Sequence, residues 1–413
     1  MQARLWGARD IDDEHLQENE MNLIEEITSN HAELTEWRRD IHAHPELAFD
    51  ESRTAALVAE RLESFGIEVA RGVGGTGVVG TLRSGTSERS VGLRADMDAL
   101  PMEELNDFRH KSKYPGKMHG CGHDGHTVML LGAARYLAEK RQFDGTVQFV
   151  FQPAEEANDN GSGAKAMIAD GLFDHFPIDK IFGMHNYKLP GLKTGGVAVW
   201  PGPVAASMDL FEVRVTGHGC HGALPHMGAD PVLICAHLVS AWQTIVSRNV
   251  NPLQSAVISA TTIQAGDSWN VIPETALIRG SIRALSPGVR ELVEDRFRRI
   301  TEDVCSAFGA TAVIDFRHET LPVVNTEDEA ALVCEVAREL VGEDYLLDDF
   351  LPTMGSEDFA WYLEHCPGAY LFIGNGAGPA ACAVHEAKYD FNDDILPIGA
   401  SLWARLAEKA LAI

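Results

Sequence analysis

The sequence is poor in basic charge: 34 Lys and Arg stand against 61 Asp and Glu, for a formal net charge of −27. Nucleic acid and anionic membrane are both gripped by basic faces, so neither is an expected partner. Also lacking is any apolar run near the roughly 20 residues that a bilayer-spanning helix needs. The opening residues are charged and acidic and contain no apolar signal-peptide core. Cysteine is sparse and unpaired in spacing, with Cys121, Cys220, Cys235, Cys305, Cys334, Cys366 and Cys382 scattered along the chain. That pattern excludes a disulfide scaffold and suits free thiols in a reducing compartment, so the expected location is cytoplasmic. Internal repeats and low-complexity tracts are absent as well.

What is present is a globular composition, 45% hydrophobic and 23% charged over 413 residues. That length exceeds what one compact core usually holds and predicts two domains. Residues 1–20 read as a poorly ordered extension. Helical spacing then runs over 23–42 and 52–65, with β-type runs at 67–70, 77–82 and 91–95. A helix at 128–140, a strand at 146–151, a short helix at 162–170 and a strand at 180–184 follow. Strands alternating with helices predict a layered α/β domain, in which ligands collect at the carboxyl ends of strands. After Pro201-Gly202-Pro203 the pattern changes to strand 208–216, helix 231–246, strands 255–264 and 275–284, helix 287–308 and strand 311–316. This order is that of a small α+β, ferredoxin-like unit. The α/β character resumes with helices at 328–341 and 357–364, a strand at 369–373 and a closing helix at 397–412. The expected organisation is therefore an α/β catalytic domain, 21–203 plus 319–413, with an inserted α+β domain at 204–318.

The most distinctive stretch is 118–127, MHGCGHDGHT, which packs three imidazoles, a thiol, a carboxylate and three glycines into ten residues. Thiolate and imidazole suit borderline metals such as zinc, and glycines let the backbone close around an ion. Three more clusters follow predicted strands: Asp96 with Asp98, Glu155 with Glu156, and His185. Adjacent carboxylates are often only a solvated loop pair, Asp96 and Asp98 are also turn formers, and a lone histidine is often buried structure. Their common position at strand ends favours chemistry. One glutamate would bind metal while the other acts as general base. A carboxylate beside a metal-bound imidazole would orient the ring. His385 is ambiguous by itself, and His31, His42, His44, His175 and His365 read as ordinary residues.

In the inserted segment, the loop from Gly217 to His226 repeats the glycine–histidine theme without a carboxylate. Imidazoles that polarise a carbonyl are the better reading there than a second metal site. Arg283 interrupts an apolar strand, either as the exposed face of an edge strand or as a bidentate grip on a carboxylate.

Taken together, these pieces resemble the M20 metallopeptidase family, in particular its amidohydrolase branch of N-acyl-amino-acid, hippurate and auxin-conjugate hydrolases. The matching segments are Arg94-Ala95-Asp96-Met97-Asp98-Ala99-Leu100-Pro101, the 118–126 stretch, Gln152-Pro153-Ala154-Glu155-Glu156, Gly183-Met184-His185, the His221…His226 loop, Asn270-Val271-Ile272-Pro273 and Met354-Gly355-Ser356-Glu357-Asp358-Phe359. The resemblance implies Cys121, His123, Glu156, His185 and His385 as ligands of two divalent ions (Zn, Mn, Co or Ni), with Cys121 bridging. It implies Glu155 as general base, Asp96 as the supporting carboxylate, and His221 as a group reaching a partner subunit's site. Substrate contacts would come from Asn270, Arg283, His226 and Gly355. Arg94 and Cys121 stand where other branches carry a metal-binding His and an Asp, which points away from a general peptidase. The context of the last ligand, Val384-His385-Glu386-Ala387, departs from the Leu-His-Ser/Asn-Pro common in the family. The implied activity is hydrolysis of a small N-acyl amino acid, with a homodimer or higher homo-oligomer as the assembly. A dipeptidase and a non-catalytic metal-binding protein are the competing readings.

Overall fold

The computed structural model describes residues 21–157, 161–376 and 382–413. The expected N-terminal extension at 1–20 lies outside them. An eight-stranded sheet forms the body, in the order Glu68–Val73, Gly77–Ser84, Gly145–Gln152, Ser90–Asp96, Lys180–Tyr187, Gly368–Gly374, Val197–Ala198, Leu346–Leu347. Its four middle strands, from Gly145–Gln152 to Gly368–Gly374, run parallel, so their carboxyl ends share one edge. Ser90–Asp96, Gly145–Gln152 and Gly368–Gly374 are buried at every position. Strands covered on both faces read as continuous runs rather than alternating ones.

Alternate side chains feed two cores. Leu93, Ala95, Phe149, Phe182 and Leu371 pack beneath the helices His31–His42, Ser52–Ser64, His123–Lys140 and Leu396–Ala410. Val150, Ile181, Tyr370 and Phe372 face the opposite layer, with Met167 of helix Gly163–Ala169 and Phe359 and Tyr362 of the 3₁₀ segment Asp358–Glu364.

The second sheet has the order Ala256–Ala265, Thr275–Ala284, Met208–Thr216, Thr311–Thr320, antiparallel throughout. Helices Pro231–Thr244 and Pro287–Ala307 cover one face, over a separate core that includes Phe211, Val213, Ile278, Trp242 and Phe297. A strand-helix-strand-strand-helix-strand chain with its first strand between the third and the fourth is the ferredoxin-like arrangement expected.

Three elements differ from the sequence reading. The first helix is two, Glu25–Thr28 and His31–His42, because Ser29 Oγ and Asn30 Nδ2 both bond to the Glu26 carbonyl and interrupt the ladder. The helix expected from residue 128 begins at His123, after Gly122 takes φ 95°. The segment expected as helix 357–364 is 3₁₀ from Asp358, with the Glu357 carboxylate accepting Phe359 N–H as its cap. Among the described residues, no helix is long and apolar enough to cross a membrane.

Candidate active site and metal centre

The parallel strands deliver their ends to one place. Ser90–Asp96 supplies Asp96 and then Asp98, Gly145–Gln152 runs into Pro153-Ala154-Glu155-Glu156, and Lys180–Tyr187 carries His185. The early start of helix His123–Lys140 places His123 and His126 in its first turn, above the same edge. A cavity of about 420 Å³ opens here, lined by Cys121, Glu155, Glu156, His185, Arg283, Gly355 and His385, among others. His123 is fully buried behind it.

Two donor sets meet at Cys121. In the first, one ligand atom each from Cys121, His123 and His185 lie within 4.8 Å of one another; in the second, so do atoms of Cys121, Glu156 and His385. Cys121 Sγ stands 3.2 Å from His185 Nε2, and His385 Nε2 is 2.9 Å from Glu156 Oε1. The imidazoles are oriented as ligands would be. His123 Nδ1 donates to Asp98 Oδ1 at 3.1 Å, while its buried Nε2 has no hydrogen-bond partner among the described residues, Asp96 Oδ2 standing 3.8 Å away. His185 Nδ1 donates to the Asn186 carbonyl at 2.5 Å, leaving Nε2 turned to Cys121. Fixing one ring nitrogen to a carboxylate or carbonyl frees the other for a metal. The segment Val384-His385-Glu386-Ala387 places the His385 ring beside Glu156 and Cys121. His385 takes φ 68°, and its N–H donates to the Gly120 carbonyl at 2.7 Å, which ties it to the 118–127 stretch.

His126 and His119 play other parts. His126 Nδ1 donates to Asp96 Oδ1 at 2.6 Å, and its Nε2 stands 2.7 Å from Asn186 Oδ1 and 2.9 Å from Asn186 N, so both ring nitrogens are occupied. His119 is buried, its ring nitrogens find no hydrogen-bond partner among the described residues, and burial pushes it down to about 3.

The electrostatics call for positive charge. Burial first, then Glu156 and Glu155, pushes the Cys121 thiol well above its usual range. Burial with Glu357, Glu156 and Asp358 likewise raises Glu155 well above the carboxylate range. Glu156 is held low: burial opposes its ionisation, but the His385 hydrogen bond and His123 outweigh it. Burial also works against charge on His123, yet Asp96 and Asp98 push the ring up to about 10. A proton on the ring or a cation at Nε2 would answer the same field. Burial lowers His185, which keeps its ring neutral as ligation needs. Orphaned Nε2, neutral imidazole and surplus buried carboxylate together fit divalent cations.

Asp96 and Asp98, both singled out in the sequence, contact different imidazoles. The partner of His123 Nδ1 is Asp98, whereas Asp96 serves His126 and Arg94. Arg94, fully buried, donates to Gln152, Asp96, Glu357 and Asp358. It occupies the face of its strand opposite Leu93 and Ala95, and a charge inside the apolar run 91–95 was the signal. His42, read as ordinary, is fully buried and bonded to Asp124 at 2.8 Å and Glu104 at 3.3 Å. Arg283 is on an interior strand, not an edge, and among the described residues its guanidinium bonds the Met354 carbonyl and Met208 sulfur. This half-buried guanidinium lines the cavity and, among the described residues, has no carboxylate ion pair. His221, His226 and Asn270 do not line this cavity. They lie exposed on the inserted unit, where Val271–Ile272 pairs with Cys220–His221.

A parallel-sheet body with thiolate, imidazole and carboxylate donors converging on its strand ends, beside one further carboxylate, defines a metal-dependent hydrolase. A profile of peptidase family M20/M25/M40 matches residues 92–409. Hippurate hydrolase of Campylobacter jejuni is 43% identical over 95% of this chain and 100% of its own length. Thermostable carboxypeptidase 2 of Saccharolobus solfataricus is 38% identical over 94% and 99%. Among solved structures, the Bacillus subtilis YXEP protein, described as a dinuclear metal-binding peptidase of the M20 family, superposes with a TM-score of 0.81. It is 32% identical and the match covers 93% of this chain and 99% of that one. The chain belongs to peptidase family M20/M25/M40 and to its amidohydrolase branch.

Proposed function

We propose that this protein is a two-metal amidohydrolase that cleaves N-acyl-L-amino acids (hippurate, N-acetyl or indole-acetyl conjugates) to a carboxylic acid and a free amino acid. The observation that carries the reading is the sharing of Cys121 by two donor sets, with Glu155 beside one of the ligands. Cys121, His123, Glu156, His185 and His385 would hold the ions, Cys121 belonging to both donor sets. When bound, the ions supply Lewis acidity to the amide carbonyl and lower the pKa of water. Glu155 takes the proton of the attacking water and returns it to the leaving amine. Arg283 receives the substrate carboxylate, which lets an acidic protein bind an anion. Asp98 fixes the His123 ring, and Asp96 with Arg94 braces the floor of the site.

The inserted unit, 204–318, acts in this reading as a lid and pairing domain of a homodimer. His221, His226 and Asn270 sit among exposed Leu224, Met227, Val232, Leu233, Trp269 and Val271, an apolar surface that suits a second copy. From there they serve the partner's site, His221 polarising the carbonyl and Asn270 and His226 contacting substrate. The seven cysteines are all free, which supports a cytoplasmic location. A dipeptidase is the second reading, favoured by the carboxypeptidase relative. Metal analysis with a panel of N-benzoyl, N-acetyl and indole-acetyl amino acids against dipeptides separates the two. Faster turnover of dipeptides would sink the amidohydrolase reading.

A further inference from the structure

The residue before Glu155 holds a backbone conformation that side-chain-bearing residues seldom adopt. Ala154 has φ 51°, and Phe49, far away in sequence, has φ 62°. Both are tied to one side chain. Glu51 Oε1 accepts Ala154 N–H at 2.8 Å and Phe49 N–H at 3.0 Å, and Oε2 accepts the Thr76 hydroxyl at 2.5 Å. Glu51 is fully buried, and although it stands at the start of helix Ser52–Ser64 its side chain makes no capping bond there. Helix capping therefore does not explain it.

Ala154 is held from its other side too. Its carbonyl accepts Gly163 N–H at 3.0 Å, and a Cβ on Gly163 would stand 1.6 Å from the Pro153 oxygen. Only glycine lets that helix start so close. Glu156 has a separate tether, its N–H donating to Asp98 Oδ2 at 2.9 Å. The ligand and the neighbouring base are thus anchored by different carboxylates.

We propose that Glu51 is a positioning residue that locks the turn at Ala154 and so aims Glu155 into the cavity, through its reach and its acceptor oxygen rather than its charge. The proposal rests on reading Glu155 as the proton carrier. Every partner of Glu51 is a donor, and an amide of the same length keeps Oε1 for both backbone N–H groups. The Thr76 hydroxyl can turn to accept from the amide nitrogen. Burial, with Asp98 facing it, already pushes the Glu51 carboxyl up to about 7, so a neutral acceptor suits the place.

The test compares metal-loaded wild type with Glu51→Gln, Glu51→Asp and Glu51→Ala on N-benzoylglycine, reading kcat and KM separately beside metal content and melting temperature. Glu51→Asp, one methylene short, is expected to lose about 10²-fold in kcat with KM little changed, since small misplacements of a catalytic group cost that much. Glu51→Gln is expected to lose much less. A charge or plain stability role predicts the reverse order, or a loss that tracks the melting temperature. Equal activity of the Asp variant and wild type, or a Gln variant as impaired as Asp, overturns the proposal. If Glu51→Ala does not fold, the Asp and Gln pair decides alone. Wild type inert toward every N-acyl amino acid would instead overturn the proposed function.

Discussion

Residue identities at the site divide by how loudly they speak in sequence. Cys121, His123, Glu155 and Glu156 stood out because chemically costly side chains crowd into short segments, the two glutamates just after a strand. Asp96 and Asp98 were both visible, but which imidazole each one meets was not, because two residues apart on an extended stretch point alike and the position of the His123 helix decides the pairing. Glu51 and His42 gave no local signal, since their partners lie across the fold. The distinction between Glu155 and Glu156 yields the sharpest prediction. Glu155→Gln is expected to keep both metals and to lower kcat by about 10²-fold to 10⁴-fold, the range of general-base deletions. Metal analysis and turnover on one sample check it, and an active variant removes the proposed mechanism.

At the scale of elements, helix His31–His42 is docked onto helix His123–Lys140 through Asp124. His42 Nδ1 bonds Asp124 Oδ2, and Arg38, also fully buried, lies 3.5 Å from the same oxygen while bonding Asp390 and Asp393. Burial opposes charge on His42, but Asp124 and Glu104 push it up to about 9. A folded pKa above the unfolded one means that this contribution is complete below about pH 6.5 and is lost as pH rises through about 9. The difference corresponds to about 3 kcal/mol at most. The stability gap between wild type and His42→Gln, measured by denaturant unfolding, is therefore expected to narrow from pH 6 to pH 10. A gap that widens contradicts the ion pair. Helix periodicity foretold the existence of these elements well. It missed the start of the His123 helix because glycines and histidines carry little periodic signal, and tertiary contacts decide that boundary.

The whole molecule carries a formal net charge of −27. Like charges on a compact surface repel, and salt screens them over a Debye length of about 10 Å at 0.1 M. The melting temperature is expected to rise as sodium chloride goes from about 0.02 M to 0.5 M; a fall would show that attractive surface pairs dominate instead. Assembly makes a second prediction at this scale. His221→Ala is expected to lose activity with metal content intact, and mixing it with Glu155→Gln subunits should restore part of it, because each hybrid pairs an intact base with an intact His221. No recovery counts against donation across subunits. The fold class was legible from the alternation of elements, whereas the short strands Val197–Ala198 and Leu346–Leu347 were not, being two residues each and defined only by what they pair with.

The place of strand Gly368–Gly374, directly beside Lys180–Tyr187, bears on how the chain is made. On the ribosome the entire inserted unit emerges between these two neighbours and has its own core to fold around. Until the later strand appears, the Lys180–Tyr187 edge is an open template for mispairing. The body can therefore close only after Gly368–Gly374 has been made, later than the inserted unit, and the candidate site only after His385.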